Sequence, residues 1–460
     1  MNKLIVKYLI IAGLLITGNA QAQTERWTLQ QCIDYAIRHN IEVKQSQNRI
    51  EKLKVEKSTL KSSFLPELNA GTSQKFDFGR SLNRSNTYED SNTRSSSFSV
   101  SAEVPLFTGF RRSASISRNK FDLMAARADK ELIENNLSLN VTSCYFQILL
   151  NKEIHKIALE QIRLTREQED RTLLLIENGK APQSQLYDVK AQLADDELTA
   201  TEAKNSLRLS LLDLLQLMEL QAHEDFDVDS LDENSFRIDT IMPQAIYADA
   251  LNCMPQIKQA YYSLQSSSKA IKVAKSGYYP TLSLGAGAST GYYHSGNSIN
   301  PSFNQQLQNN MQKSVYLTLS IPIFDRFSTR NEVRSARIEE SNARLSLENE
   351  KKSLYKDIEK AYTDAVNALE KYESTAKAVA ANEEAHRYAL EKYAAGKSAV
   401  YEYNEIKMKL ADALSKQSQA KYAYLLKERV LSFYACKPIG EPGSCSVLNK
   451  LTLLNPLKKM

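Results

Sequence analysis

The sequence has little glycine, few cysteines and histidines, and only one long apolar run. Glycine accounts for 14 of 460 residues, well below the usual share of roughly 7%, which argues against many tight turns. The 59 basic residues barely exceed the 54 acidic ones and are interleaved with them, which excludes a nucleic-acid groove. The five histidines lack metal-ligand spacing, and the sequence has no phosphate-binding glycine loop and no nucleophile elbow. We therefore expect no enzyme and no catalytic, metal or cofactor-binding residues.

The one apolar run lies at the amino terminus, where residues 1–22 have the three parts of a secretory signal peptide. Lys3 and Lys7 supply the basic end, residues 8–16 the apolar stretch, and residues 20–22 (AQA) a small-x-small cleavage site. A retained membrane anchor is the alternative, but the apolar stretch is far shorter than the ~20 residues that span a bilayer. Because no second run of this kind follows, the exported chain is expected to cross a membrane only through strands.

The five cysteines are too few and too scattered for a disulfide framework. Cys436 and Cys445 bracket a stretch rich in Pro and Gly, and they either close a short loop in an oxidising compartment or stay free. The other three lie inside helical patterns and are expected to be small core residues. They are Cys32, Cys144 and Cys253.

The most informative feature is an internal duplication. Residues 104–107 (VPLF) match 321–324 (IPIF), and Gly179-Lys180 match Gly396-Lys397. Each copy predicts a helix, two strands, a very long helix, a break that contains Gly, and a further helix. The predicted organisation is a signal peptide at 1–22, a first repeat at 23–218, a linker at 219–242, a second repeat at 243–435 and a carboxyl-terminal tail at 436–460.

Each copy also contains a long stretch without Pro or Gly, at 111–178 and at 328–395. Apolar residues recur there at alternating spacings of four and three, which predicts helices with a heptad seam. At ~1.5 Å per residue each helix would reach about 100 Å, too long for a compact domain. A coiled-coil scaffold in the periplasm is the alternative that these segments alone allow. The seam positions of the second copy are Leu354, Ile358, Ala361, Ala365, Ala368, Tyr372, Thr375 and Val379, and those of the first copy are Leu137, Val141, Cys144, Ile148, Asn151, His155, Ala158 and Ile162.

Four segments of about ten residues alternate apolar residues with small polar ones, which is typical of strands in a transmembrane barrel. Aromatic residues cluster at their ends, as at lipid–water boundaries. Long polar connections at 79–96 and 294–312 suit outward-facing loops, and the other strand ends lead into helices, which places all helices on the periplasmic side. The first apolar residues of the segments are Leu68, Phe98, Leu282 and Val315.

Four strands are too few to close a barrel. Single-chain barrels start at about eight strands, and an open edge in lipid leaves backbone groups unpaired at several kcal/mol each. Two copies would give eight strands with an interior filled by side chains, and three would give twelve strands around a lumen. The small Ser and Gly residues on the polar strand faces suit an open lumen better, so we expect a homotrimer. A stand-alone porin is disfavoured, because porins consist mainly of strands.

These features resemble the TolC-like outer-membrane efflux protein family. The resemblance is carried by the two strand-to-helix prolines in VPLF and IPIF, by TLQQCIDYAIRHN at 28–40 and by the two Gly tips, and it covers roughly residues 27–434. It implies a mainly α fold with a small β part, a trimeric duct in outer-membrane lipid, and passive conduction. It also implies a periplasmic adaptor and an inner-membrane transporter as partners in tripartite efflux or type I secretion. Drugs, metals, small metabolites and proteins all stay open as cargo, since the transporter selects it.

The tip pattern of the family is an aromatic residue, two further residues, Gly, and an acid six positions after the Gly. The second copy matches it with Tyr393, Gly396 and Glu402, and Glu405 follows three residues later. By resemblance, Glu402 and Glu405 line the pore constriction as a cation-selective ring that stays shut until a partner acts. Ordinary solvated tip charges are the alternative.

The first copy departs from this pattern. Ile176 replaces the aromatic residue and Gln185 stands at the acidic position, which leaves only a neutral hydrogen bond to Tyr393 as a latch there. Asp188 occupies the later acidic position. The tip residues expected to contact the adaptor are Gly179, Lys180, Gln185, Asp188, Tyr393, Gly396 and Lys397.

Overall fold

The computed structural model describes residues 26–82, 86–221, 226–230, 242–296, 300–395 and 397–437. The predicted signal peptide and most of the predicted tail lie outside these ranges. The chain divides into two compact units. We call residues 47–129 with 256–350 the sheet unit, and the remaining described residues the helical unit.

Helices make up most of the described chain, as the sequence predicts. They are α1 (Leu29–His39), α2 (Ile41–Ser62), α3 (Arg111–Glu177), α4 (Ser184–Leu217), α5 (Pro243–Cys253), α6 (Pro255–Lys275), α7 (Phe303–Asn309), α8 (Ser328–Ala394) and α9 (Val400–Tyr434). The strands are β1 (Arg26–Trp27), β2 (Glu67–Asp77), β3 (Arg80–Leu82), β4 (Tyr88–Asp90), β5 (Thr93–Thr108), β6 (Asp227–Val228), β7 (Thr281–Ser295) and β8 (Gln312–Ser320). The two longest helices, α3 and α8, have 67 residues each and confirm the two stretches without Pro or Gly. None of the described helices is long and apolar enough to span a membrane.

The sheet unit contains a four-stranded antiparallel sheet with the order β2-β5-β7-β8, which confirms the four predicted strands. Its two faces differ as the alternation predicts, and the apolar face is open: Leu68 is 72% exposed and Val315 is 77% exposed. One cross-strand row on the apolar face consists of Leu68, Ala102, Ala286 and Val315. The next row, on the other face, consists of Asn69, Ser101, Gly287 and Ser314.

The two predicted loops between strands contain short regular elements. The connection from β2 to β5 holds the small hairpin of β3 and β4, and the connection from β7 to β8 holds the short helix α7. Gln306 of α7 fixes this helix against β7, because its amide nitrogen donates to the carbonyl oxygen of Tyr293 at 2.9 Å. Sequence polarity indicated connections here without indicating these elements. The expectation that all helices lie at the opposite strand ends is wrong for α7, which forms within the connection from β7 to β8.

The duplication is visible in the backbone of the strand-to-helix turns. Two consecutive residues take the left-handed conformation in each repeat: Gly109 and Phe110 have φ of 60° and 66°, and Arg326 and Phe327 have φ of 55° and 63°. This conformation is uncommon for residues other than glycine. Its recurrence at equivalent positions therefore reflects a shared turn geometry, and the duplicated fold is confirmed.

The core of the helical unit forms around α1. The helix begins with a capping box, in which the Thr28 hydroxyl accepts from the Gln31 amide and the Gln31 side chain accepts from the Thr28 amide. Its apolar face packs with the predicted seam of α3, where Val141 and Ile148 are fully buried. The seam of α8 is confirmed as well, since Ile358 is also fully buried.

Part of the predicted linker belongs to this core. β6 pairs in parallel with β1, and Val228 of β6 is 1% exposed. The Tyr145 hydroxyl donates to the carbonyl oxygen of Asp229 at 2.7 Å and contacts that of Trp27 at 3.1 Å. The linker thus ties the start of the first repeat to α3, although residues 222–225 and 231–241 lie outside the described ranges.

Of the two alternatives for Cys436, a disulfide with Cys445 or a free thiol, neither holds, because the sulfur of Cys436 is bonded to Cys253. The two Cα atoms are 6.4 Å apart, within the range that disulfides bridge. The expectation considered only the local loop, whereas 183 residues separate the bonded cysteines. Cys253 is thus no simple core residue, while Cys32 and Cys144 are free thiols. Cys445 lies outside the described residues.

Candidate functional site at the helix tips

Both helix tips are closed by the same backbone hydrogen bond. At the end of α3, Gly179 has φ of 67°, and the Lys180 amide donates to the carbonyl oxygen five residues earlier at 2.8 Å. After α8, the Lys397 amide makes the equivalent bond at 2.9 Å. At the end of α3, where Gly179 is left-handed, this six-to-one bond is the Schellman motif. Gly396 itself lies outside the described residues.

A buried apolar cluster joins the two tips. It is formed by Val189 of α4, Ala389 and Tyr393 of α8, and Val400 and Tyr403 of α9. The rings of Tyr393 and Tyr403 are stacked with their centres 5.0 Å apart. The predicted tip aromatic Tyr393 is therefore a packing residue that holds α8 against α9.

Arg171 of α3 adds a polar link between the repeats. Its guanidinium carbon lies 5.6 Å from the centre of the Tyr393 ring, and its terminal nitrogen donates to the carbonyl oxygen of Ala394 at 2.8 Å. The Tyr393 hydroxyl is buried and has no hydrogen-bond partner among the described residues. Within this part of the chain Gln185 therefore does not latch Tyr393 through a neutral hydrogen bond, and Arg171 holds the ring instead.

Glu402 and Glu405 lie on the exposed face of α9, opposite the buried Tyr403 and its neighbours. Glu402 accepts a hydrogen bond from the neutral Ser398 hydroxyl at 2.8 Å. Glu405 differs, because the amine of Lys409 lies 2.6 Å from its carboxylate. The two glutamates predicted for the constriction are thus exposed but electrostatically unequal. Asp188 is also exposed.

A buried ion pair lies behind the exposed glutamates. Lys407 of α9 is 1% exposed, and its amine contacts the Asp196 carboxylate of α4 at 3.4 Å and the Thr165 hydroxyl of α3. The side-chain amide of Gln192 donates to the same carboxylate at 2.8 Å. Burial lowers the pKa of Lys407, and Asp196 opposes that shift. Three helices from both repeats therefore meet at one charged group.

His386 adjoins this cluster through the Tyr403 hydroxyl, whose oxygen lies 3.4 Å from the Nε2 atom. Burial, and then the charge of Lys407, lower the pKa of His386 below its ordinary value of 6.5. The site therefore favours neutral imidazole.

We expect the protein to lose thermal stability as the pH falls below about 6.5. In the unfolded chain His386 takes up a proton at its ordinary pKa, whereas in the folded protein it takes one up only at a lower pH. Protonation therefore favours the unfolded chain, and the stability present above the ordinary pKa is lost as the pH falls through the folded pKa. The measurement is the melting temperature of the detergent-solubilised protein from about pH 7.5 to about pH 5. His386→Gln should flatten the profile and the control His294→Gln should not; identical profiles in both would contradict the assignment.

Three residues of this site are not evident from the sequence: Arg171, Asp196 and Lys407. Lys407 lies seven residues after Val400 and four after Tyr403, so all three share one face of the helix. A cation on this apolar face was the sequence feature that could have indicated a buried charge. Among the described residues, no group of three or more His, Cys, Asp or Glu side chains is arranged to hold a metal ion.

The sheet has an open apolar face, and the duplicated long helices end in tips capped by backbone hydrogen bonds. These features define an outer-membrane channel whose helices extend into the periplasm. The chain belongs to the outer membrane efflux protein family, whose model matches residues 32–219 and 246–435. Both repeats carry the match. Proteins of this family are channels rather than enzymes; they form trimers and work with efflux machinery.

Individual relatives agree with this assignment. Protein CyaE of Bordetella pertussis is 24% identical over 432 residues, which cover 91% of this chain and 85% of that protein. The fold is similar to that of the Campylobacter jejuni CmeC outer membrane channel, with a TM-score of 0.73, 17% identity, and coverage of 90% of this chain and 87% of that one. It is also similar to the open state of the Neisseria gonorrhoeae MtrE outer membrane channel, with a TM-score of 0.71, 16% identity, and coverage of 88% of both chains.

Proposed function

We propose that three copies of this chain assemble into a gated exit duct of a tripartite efflux or type I secretion system. The observation that carries this proposal is the sheet β2-β5-β7-β8, which in the described part of the chain has an unpaired edge at β2 and another at β8. Unpaired backbone groups in lipid cost several kcal/mol each. Pairing β2 of one copy with β8 of the next removes every edge, and three copies give twelve strands around an open lumen.

The two faces of the sheet support the same arrangement. The exposed apolar row with Leu68 and Val315 suits contact with lipid tails, and the row of small polar residues with Ser101 and Gly287 suits a water-filled interior. In a water-soluble periplasmic scaffold this apolar sheet face would be exposed to water, which soluble proteins rarely tolerate over so large an area.

The helix tips supply the gate and the docking surface for the partners. Glu402 and Glu405, repeated threefold, form the acidic constriction, and a periplasmic adaptor binds the tips and opens it. An inner-membrane transporter selects and delivers the cargo, which then passes by diffusion. The residues assigned to adaptor contact are Gly179, Lys180, Gln185, Asp188, Gly396 and Lys397, whereas the buried Tyr393 supports the tip by stacking on Tyr403.

The oligomeric state of the detergent-extracted protein tests the proposal. Native mass spectrometry is expected to give the mass of three chains, and reconstitution into planar bilayers is expected to give discrete ion-conducting channels. A single chain that conducts ions alone would refute the shared barrel, and recovery of the protein from the soluble periplasmic fraction would refute the duct.

A further inference from the structure

A basic cleft lies where the sheet unit passes from strand to helix in the second repeat. It encloses about 420 Å³ between the end of α6 and the first turns of α8. Its lining residues are Lys275, Tyr278, Tyr279, Arg330, Arg334, Arg337 and the buried Val333. The three arginines recur at spacings of four and three, so they share one face of α8.

The lining of this cleft contains four basic residues and no acidic one. Within the described ranges, none of Lys275, Arg330, Arg334 and Arg337 makes an ion pair with Asp or Glu. By contrast Arg344, further along the same helix, is paired with Glu340 at 2.9 Å. Four cations that converge on one cleft without an anion repel one another, and an anionic ligand relieves that repulsion.

The walls of the cleft are fixed by close packing. A Cβ atom at Gly277 would lie 2.6 Å from the hydroxyl oxygen of Thr329, so only glycine lets the turn after α6 approach α8 this closely. On the other side, a Cβ atom at Gly109 would lie 2.8 Å from the Cβ atom of Tyr279. The Phe110 ring also meets the Tyr279 ring edge-on, with the centres 5.9 Å apart. The backbone that carries the cleft's side chains is therefore held in place by packing.

The position of the cleft indicates the ligand. The cleft adjoins the first residue of β7 and the turn after β8, at the strand ends that lead into the periplasmic helices. The periplasmic boundary of the membrane is thus beside it, and tyrosine rings such as Tyr278 and Tyr279 favour such boundaries. Guanidinium groups bind phosphate oxygens through pairs of parallel hydrogen bonds. We propose that this cleft binds the phosphodiester headgroup of an anionic phospholipid from the periplasmic leaflet.

The first repeat provides an internal comparison. Lys61 and Lys120 occupy the positions that correspond to Lys275 and Arg337, but serines stand at the positions that correspond to Arg330 and Arg334. The first repeat thus keeps two cations at equivalent places and lacks the central pair. Binding is expected at the second repeat only.

The test uses the full detergent-solubilised protein and native mass spectrometry with phosphatidylglycerol or phosphatidylcholine. We expect phosphatidylglycerol adducts to persist at collision energies that strip phosphatidylcholine, since the choline cation meets the same positive charges. The variant Lys275→Gln with Arg337→Gln should bind phosphatidylglycerol about tenfold more weakly. The matched control, Lys61→Gln with Lys120→Gln, removes the same number of charges and should bind normally.

Three outcomes overturn the proposal. Equal loss in both variants would mean a general charge effect, and no loss in the first variant would mean that the cleft is not the site. Complete displacement of the lipid by millimolar inorganic phosphate would mean that the site takes free phosphate rather than a headgroup. The oligomeric state of each variant is read from the same spectra, so failure of the trimeric assembly is distinguished from failure of lipid binding.

Discussion

Replacing both Glu402 and Glu405 with Ala is expected to raise single-channel conductance in planar bilayers and to lower the cation preference about fivefold. A carboxylate about 4 Å from a permeant cation is worth about 1 kcal/mol in water, which corresponds to that factor. A ring that binds cations more weakly also releases them faster, and conduction requires release as well as entry. Unchanged currents would refute the gate assignment.

The structure predicts that Glu402 and Glu405 contribute unequally to the cation preference. Lys409 lies 2.6 Å from Glu405 and already offsets its charge, whereas Glu402 has only the neutral Ser398 hydroxyl. Glu402→Gln should therefore lower cation preference more than Glu405→Gln. Lys409→Gln should raise it, because it leaves Glu405 unpaired.

The matched control for these measurements is Asp412→Asn. Asp412 is an exposed carboxylate on α9, paired with Lys416 at 2.6 Å as Glu405 is with Lys409, but it lies further from the tip. Its replacement should leave conductance and selectivity unchanged. An effect as large as that of Glu402→Gln would show that the currents report general surface charge and not the constriction.

Removing the partner of the buried Lys407 is expected to destabilise the protein strongly. Asp196→Ala leaves an ammonium group that is 1% exposed with the Thr165 hydroxyl but without its carboxylate. Loss of one member of a buried pair typically costs about 3–5 kcal/mol. The measurements are the melting temperature and the urea midpoint of the solubilised protein.

The duplication supplies the control for this prediction. Lys190 is the first-repeat equivalent of Lys407, but it is exposed and lies 4.0 Å from Glu169. Glu169→Ala should cost less than about 1 kcal/mol. The double variant Lys407→Met with Asp196→Leu should recover most of the lost stability, because apolar replacements remove both buried charges. Equal effects of Asp196→Ala and Glu169→Ala would contradict the special role of the buried pair.

The strands and long helices could be predicted because their signals are local and repeated. Alternation with a period of two along a strand fixes which face of the strand is apolar. The cross-strand row from Leu68 to Val315 shows that the predicted apolar positions of all four strands lie on the same face of the sheet. The seam spacings fix the buried face of α8, where Leu354 and Ile358 lie. The duplication gave each pattern a second, independent occurrence.

The site could be predicted only in part. The tip glycine, the tip aromatic and the exposed glutamates follow from the family pattern, but the links that hold the tips together do not. Lys407 contacts Asp196, which is 211 residues away in the sequence, and Cys436 is bonded to Cys253, which is 183 residues away. Neither pairing leaves a local signal, because it depends on which helices pack side by side.

The sequence by itself determined the mainly helical class of the fold, the two repeats, the strand faces and the breaks at the helix tips, since periodicity and turn chemistry act over a few residues. The tertiary structure alone decided the partner of Cys436, the burial of Lys407 and the convergence of Arg330, Arg334 and Arg337 with Lys275. Each of these depends on contacts between segments distant in sequence, and burial and charge pairing are properties of such contacts rather than of the residues themselves.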